Sequence, residues 1–146
     1  MEENKIVSNY NLEKLDDANI RRFLQLNNLS SNKYFFATQP IKITNTILFG
    51  TLSALTIGNY IVYFDTQSIY LFEMSKLSNK KIVNYFKIDT PNVVKVETEK
   101  DLLGIQKRLK IKLKDDTKLI LEVNKRLRGI DDQLKNIEEF ENMFNN

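Results

Sequence analysis

Between residues 105 and 144 the hydrophobic period of the chain changes, and that change limits what it can fold into. Arg108, Lys110, Lys112 and Lys114 alternate with Leu109, Ile111 and Leu113, and after a short polar turn Leu119, Leu121 and Val123 resume the alternation. A period of two marks strands with one buried face. Ile130, Leu134, Ile137, Phe140 and Phe144 then fall at helical spacing, so the segment predicts an antiparallel hairpin running into one amphipathic helix. Parity fixes an expected register: Leu113 faces Leu119 and Ile111 faces Leu121, which leaves Asp115, Asp116 and Thr117 as the loop and sets Lys114 opposite Lys118. The helix is expected to follow Gly129, with Asp131 and Asp132 at the positive end of its dipole.

Upstream, Leu12, Leu15, Ile20, Phe23, Leu24 and Leu26 trace a helical stripe over about residues 11–28, and Asn27 to Asn32 reads as its exit loop. Aromatic and β-branched residues dominate from Tyr34. With the hairpin, seven strands are expected near 34–42, 52–65, 68–74, 82–88, 93–99, 105–114 and 118–124. Asp65-Thr66-Gln67-Ser68, Ser78-Asn79-Lys80-Lys81 and Asp89-Thr90-Pro91-Asn92 supply the turn chemistry between them. Gly58-Asn59 is read as a bulge, because Leu55, Ile57, Ile61 and Tyr63 keep one parity across it.

The 146 residues suit one domain with one core. The sequence has no cysteine and no histidine, which removes disulfides, thiolate metal sites and the commonest general base and zinc ligand. No metal, no cofactor and no enzymatic activity are expected. Net charge is only +3, but it is unevenly placed: residues 105–128 hold nine Lys/Arg against three Asp/Glu, and residues 130–146 hold one Lys against five acids. Met1 to Val7 carries two Glu and no apolar run, so a cytoplasmic location is the expectation. Residues 43–64 contain no charge and are long enough to cross a bilayer, yet their Thr, Asn, Ser and Gly content favours strands.

About seven antiparallel strands followed by one C-terminal helix is the plan of the pleckstrin-homology superfold. The run Leu52 to Asp65 with Ile69-Tyr70-Leu71-Phe72-Glu73-Met74 resembles the central strand pair of bacterial pleckstrin-homology-like (PH-like) domains, and Ile88 to Val96 resembles the family's next entry into a strand. The likeness covers roughly residues 33–144. It implies a mainly β fold, a PH-like barrel or sandwich at 33–146 capped by the C-terminal helix, with residues 1–32 as an N-terminal helical extension. It also implies a non-enzymatic binding module. Eukaryotic relatives hold phosphoinositide headgroups at an open end whose loops would here contain or adjoin Lys42, then Lys76, Lys80 and Lys81, then Lys114 and Lys118; the family's Lys-x-Arg/Lys pattern is reduced to Lys42-Ile43-Thr44.

Two roles follow as expectations. The first is a protein partner, or a second copy of the chain, held at an exposed strand edge or in a groove beside the C-terminal helix at Ile130, Leu134, Ile137 and Phe140. The second is peripheral contact of those loop lysines with an anionic membrane surface. Nucleic acid is disfavoured: the row Arg108, Lys110, Lys112 and Lys114 repeats at about 6.6 Å along a strand, but the stacking aromatics lie earlier in the chain, where alternation makes many of them core. Ser78-Asn79-Lys80-Lys81 matches a Ser-x-x-Lys pattern without its helical context and is read as a loop. The pairs Asp16-Asp17, Asp115-Asp116, Asp131-Asp132 and Glu138-Glu139 are read as caps, turns and solvated faces.

Overall fold

The computed structural model describes residues 6–7, 9–30, 32–40, 57–78 and 80–145. Among them lie β1 (Tyr10–Asn11), α1 (Asp17–Leu26), β2 (Tyr34–Gln39), β3 (Gly58–Phe64), β4 (Ser68–Met74), β5 (Lys81–Asp89), β6 (Val93–Lys100), β7 (Gln106–Leu113), β8 (Lys118–Asn124) and α2 (Gln133–Phe144). A single 3-10 turn, Thr90–Asn92, joins β5 to β6 and carries the proline that a ladder could not hold. The eight strands form one antiparallel sheet in the order β1-β5-β4-β3-β2-β8-β7-β6. β1 and β6 are its two edges and do not pair with each other, so of the expected barrel or sandwich the sheet takes the open, sandwich-like form, folded over on itself with α2 across the opening.

Alternation sorts the apolar side chains into two layers. Phe35 and Ala37 of β2, Tyr60, Val62 and Phe64 of β3, and Ile69 and Leu71 of β4 face inward against Leu109, Ile111, Leu119 and Leu121, with Ile137 and Phe140 of α2 filling the fold. Their neighbours of opposite parity, Tyr34, Ile61, Tyr63, Phe72 and Met74, face outward and are covered by Leu12, Ile20, Phe23 and Leu24. The helix at the N-terminal side is therefore docked, and it gives β3 two buried faces. That is why Tyr60 to Phe64 are all buried whatever their parity. In β5 the parity switches: the register slips beside Glu73 and Met74, so Ile82 packs under α1 while Phe86 and Ile88 point into the main core.

At the corner between β2 and β8, Thr38 and Glu122 are the only ladder partners among the described residues. Two buried amides of α2 complete it. The Gln133 side chain accepts from Phe36 N at 2.9 Å and donates to Phe36 O at 2.8 Å, which satisfies both backbone groups of one residue as a neighbouring strand would. Its amide nitrogen also lies 3.1 Å from Asn124 O, and the Asn136 amide donates to Tyr34 O at 2.8 Å and Asn32 O at 3.1 Å. At the far end of α2, Glu141 takes hydrogen bonds from Lys107 Nζ at 2.9 Å and Thr98 Oγ1 at 3.0 Å. Lys107 stands in the inward-facing row of β7 and is 93% withdrawn from solvent, so removing Glu141 would strand a buried cation.

Three details differ from expectation. The β7–β8 hairpin pairs Ile111 with Leu119 and Leu109 with Leu121, two residues away from the expected register, because the turn consists of Lys114, Asp115 and Asp116. Asp116 N donates to Leu113 O and Asp116 adopts a left-handed φ of 68°, the geometry of a type I turn closed by a bulge. Lys118 thus faces Lys112 and not Lys114, while the face of every side chain is unchanged. The second helix begins at Gln133, so Asp131 and Asp132 precede it. The first begins at Asp17, with the Asp16 carboxylate capping Asn19 N at 3.0 Å; that hydrogen bond holds the carboxyl below its ordinary pKa. Of the uncharged stretch 43–64, residues 58–64 are β3 and residues 43–56 lie outside the described residues. Among the described residues no helix is long and apolar enough to cross a membrane.

The linker from β8 to α2 crosses the start of α1. Asp17 N donates to Gly129 O at 2.9 Å, and the Asp17 carboxylate takes hydrogen bonds from Asp131 N and from the Tyr34 hydroxyl. Gly129 has φ of +91°, and a Cβ there would lie 3.0 Å from Leu15 O. Gly129→Ala should therefore destabilise the fold by about 1–3 kcal/mol, read as a lower urea midpoint with unchanged slope. A second expectation concerns alkaline pH. Burial, reinforced by the Asp65 carboxylate 2.9 Å from its hydroxyl, pushes Tyr63 up to about 12, and burial with the Asp17 bond pushes Tyr34 up as well. The folded state keeps these protons while the unfolded chain loses them near 10, so the contribution is whole below pH 10 and disappears as pH rises toward 12. Tyr63→Phe should flatten the pH dependence of stability above about pH 10, read as urea midpoints measured across the alkaline range.

Candidate functional site

The solvent face of β6, β7 and β8 carries most of the charge of this half of the sheet, and the register arranges it in rows. Lys95, Lys112 and Lys118 stand side by side in the first row; Glu97, Lys110 and Ile120 form the second; Glu99, Arg108 and Glu122 form the third. Adjacent strands are about 4.8 Å apart, so three ammonium groups share a width of about 10 Å in the first row. One ion pair runs along a strand, Lys95 to Glu97 at 2.9 Å, one on a diagonal, Lys110 to Glu99 at 2.6 Å, and one directly across, Arg108 to Glu122 at 2.7 Å. These consume every carboxylate of the three rows. Among the described residues, Lys112 and Lys118 have no carboxylate within ion-pair distance.

The first two rows line a shallow depression of about 340 Å³ bounded by Lys95, Glu97, Lys110, Lys112, Lys118 and Ile120. The potential inside it is positive. Glu97 is held below its ordinary carboxylate range by the hydrogen bond from Lys95, with Lys110 and Lys118 adding to the effect. Ile120 gives the floor an apolar element. With ammonium donors on three strands, the arrangement can hold an anion.

Compared with known proteins, the chain matches no protein-family model, no curated protein and no solved structure. The geometry of its own residues therefore carries the functional argument.

The lysines singled out from the sequence fall into separate places. Lys76, Lys80 and Lys81 are exposed at the β4–β5 connection, where Leu12 N donates to Lys80 O and Asn11 pairs with Lys81. Lys114 N donates to Asn92 O, just beyond the opposite end of β5, so this strand of nine residues separates the two groups along its length. Lys42 lies outside the described residues. Lys118 joins the first row of the depression, and Lys114 sits in the turn next to it. Of the second predicted surface, Ile137 and Phe140 are buried in the main core and Ile130 is buried under α1, while Leu134 is half-buried and lines a hollow with Gly104, Ile105 and Arg126. The helical stripe was spent on the chain's own interior.

Lys95 is the residue that sequence reasoning missed. Its neighbours Val94 and Val96 mark a strand, but only the pairing of β6 with β7 brings it beside Lys112. Three like charges in one row repel, and removing the middle one should relieve this. Lys112→Thr is expected to raise stability by a few tenths of a kcal/mol at low ionic strength; thermal melts in low and high salt should show the gain shrinking as salt screens the row.

Proposed function

We propose that this chain is a non-enzymatic binding module whose lysine-lined sheet face docks an acidic segment of a partner protein. The observation that carries the reading is the Lys95, Lys112 and Lys118 row, kept on three adjacent strands with two of its members lacking a carboxylate. Such a row costs stability in the free chain, and an anionic partner offsets that cost. Carboxylates on alternate residues of an extended peptide stand about 6.6 Å apart, a separation that long lysine side chains on strands about 4.8 Å apart can bridge, and Ile120 offers a contact for an apolar side chain between them. The mixed pairs in the third row then set a boundary to the footprint.

A PH-like plan is part of the same reading. It is supported by the strand order β5-β4-β3-β2-β8-β7-β6, in which the first long strand links the two halves of the sheet, and by the helix that follows the last strand across the opening. A binding role is further supported by a sequence that has neither histidine nor cysteine. A second copy of this chain is the alternative acidic partner, through the excess of carboxylates in residues 130–146.

Fluorescence anisotropy with a labelled Glu-rich peptide tests the proposal. Binding should weaken steeply with salt and fall at least tenfold in Lys112→Glu/Lys118→Glu, both exposed positions whose reversal leaves the core untouched. Equal binding by the doubly reversed variant, or none by the natural chain at low salt, would sink the idea. Light scattering over a concentration series identifies the second-copy case.

A further inference from the structure

The β6–β7 hairpin ends in Asp101-Leu102-Leu103-Gly104-Ile105, and its apolar side chains point away from the protein. Leu102 is fully exposed, Leu103 is 81% exposed and Ile105 59% exposed. Scattered exposed leucines need no explanation, but three within four residues at the tip of a hairpin form a projecting apolar cap. The tip is well held. Gly104 N donates to Asp101 O at 3.2 Å, the Asp101 carboxylate accepts from Ile105 N at 3.0 Å and Gln106 N at 3.3 Å, and Lys125 N donates to Ile105 O at 3.1 Å. Gly104 supplies the left-handed φ of +70° that the turn needs.

Cations surround the cap. Lys100 ends β6 beside it, Lys125 Nζ lies 3.8 Å from the position a Cβ of Gly104 would take, and Arg126 lines the same hollow as Gly104 and Ile105. The nearby carboxylates are engaged: Asp101 with the turn's own N–H groups, Glu99 with Lys110 and Glu122 with Arg108. We infer that this tip attaches the chain to anionic lipid bilayers, with Leu102, Leu103 and Ile105 entering the acyl boundary while Lys100, Lys125 and Arg126 meet the phosphates. The projecting shape favours a bilayer over a protein partner, because a convex apolar tip offers a protein little surface to complement, while a bilayer closes around it. The collar of cations supplies charge complementarity to acidic headgroups. This surface lies at the opposite end of β7 from Lys112 and is independent of the acidic-peptide reading.

Vesicle sedimentation with the full chain tests the inference, comparing phosphatidylcholine alone with phosphatidylcholine mixed with phosphatidylserine. Binding is expected to the mixed vesicles only, with about a fivefold loss for each cation removed in Lys100→Gln and Arg126→Gln. Leu102→Ser/Leu103→Ser should lose binding at least tenfold while retaining both its melting temperature and its affinity for the Glu-rich peptide, since neither leucine is buried. The chain contains no tryptophan, so Leu103→Trp provides a single reporter whose emission should shift to the blue on mixed vesicles. Absence of binding, binding unaffected by the serine variant, or a tryptophan that stays in water with the protein bound would each overturn the inference. Self-association abolished by the serine variant, without vesicle binding, would do so as well.

Discussion

The two hydrogen bonds between the Gln133 amide and the backbone of Phe36 tie α2 to the corner at which the two halves of the sheet meet. β2 shares ladder partners with β3 along its whole length but meets β8 at one residue pair. Without α2, the carbonyls of Asn32, Tyr34 and Phe36 and the amide of Phe36 would lose partners, at a cost of about 1–3 kcal/mol for the buried Tyr34 carbonyl and less for the part-buried others. Gln133 and Asn136 are one helical turn apart, so a single helix face presents both amides to the same edge. Glu141, two turns on, fixes the other end against β6 and β7. The helix is thus a brace between the two halves of the fold, and Phe140 can then sit among Phe35, Phe64 and Phe144 with ring centroids 5.1–5.4 Å away.

That brace also shows where the sequence is legible and where it is not. Period-two alternation located β7 and β8, because Leu109, Ile111, Leu119 and Leu121 need only one buried face. Period 3.6 located α2 for the same reason. It could not identify Gln133 or Asn136, since a polar residue beside an apolar stripe reads as solvated unless the unpaired backbone it serves is known. The stripe itself conceals a division: Ile130 belongs to the layer under α1, and Ile137 and Phe140 belong to the main core. The hairpin turn was misplaced because Asp116 accepts a left-handed conformation, which moves the loop by one residue without altering any side chain's face. For the candidate site, the lysines of β7 were visible as a row along one strand. The relevant row runs across three strands, and cross-strand neighbours are set by pairing rather than by spacing in the chain.

The β6–β8 half of the molecule carries two surfaces of different character. The sheet face near the 114–116 turn is polar, flat and cationic. The opposite end of the same hairpin is apolar and projecting, with cations behind it. The strands between them are rigidly paired, so the separation of the two is fixed by strand length. In the β2–β5 half, α1 and the segment before it cover the outward side chains Tyr34, Ile61, Tyr63, Phe72 and Met74, while Lys81, Val83 and Lys87 of β5 stay exposed.

The brace has a kinetic meaning. The β3–β4–β5 meander and the β6–β7–β8 meander consist of neighbours in sequence and can zip up quickly from their turns. Asn136 meets Tyr34 across 102 positions and Gln133 meets Phe36 across 97. Closing loops of that size costs more entropy than forming the turns, so the helix is expected to join the two meanders late in folding. A chain of this design is most exposed to misassembly before that step, when β2 has its outer edge bare and an unrelated strand could take the place that one glutamine is meant to fill.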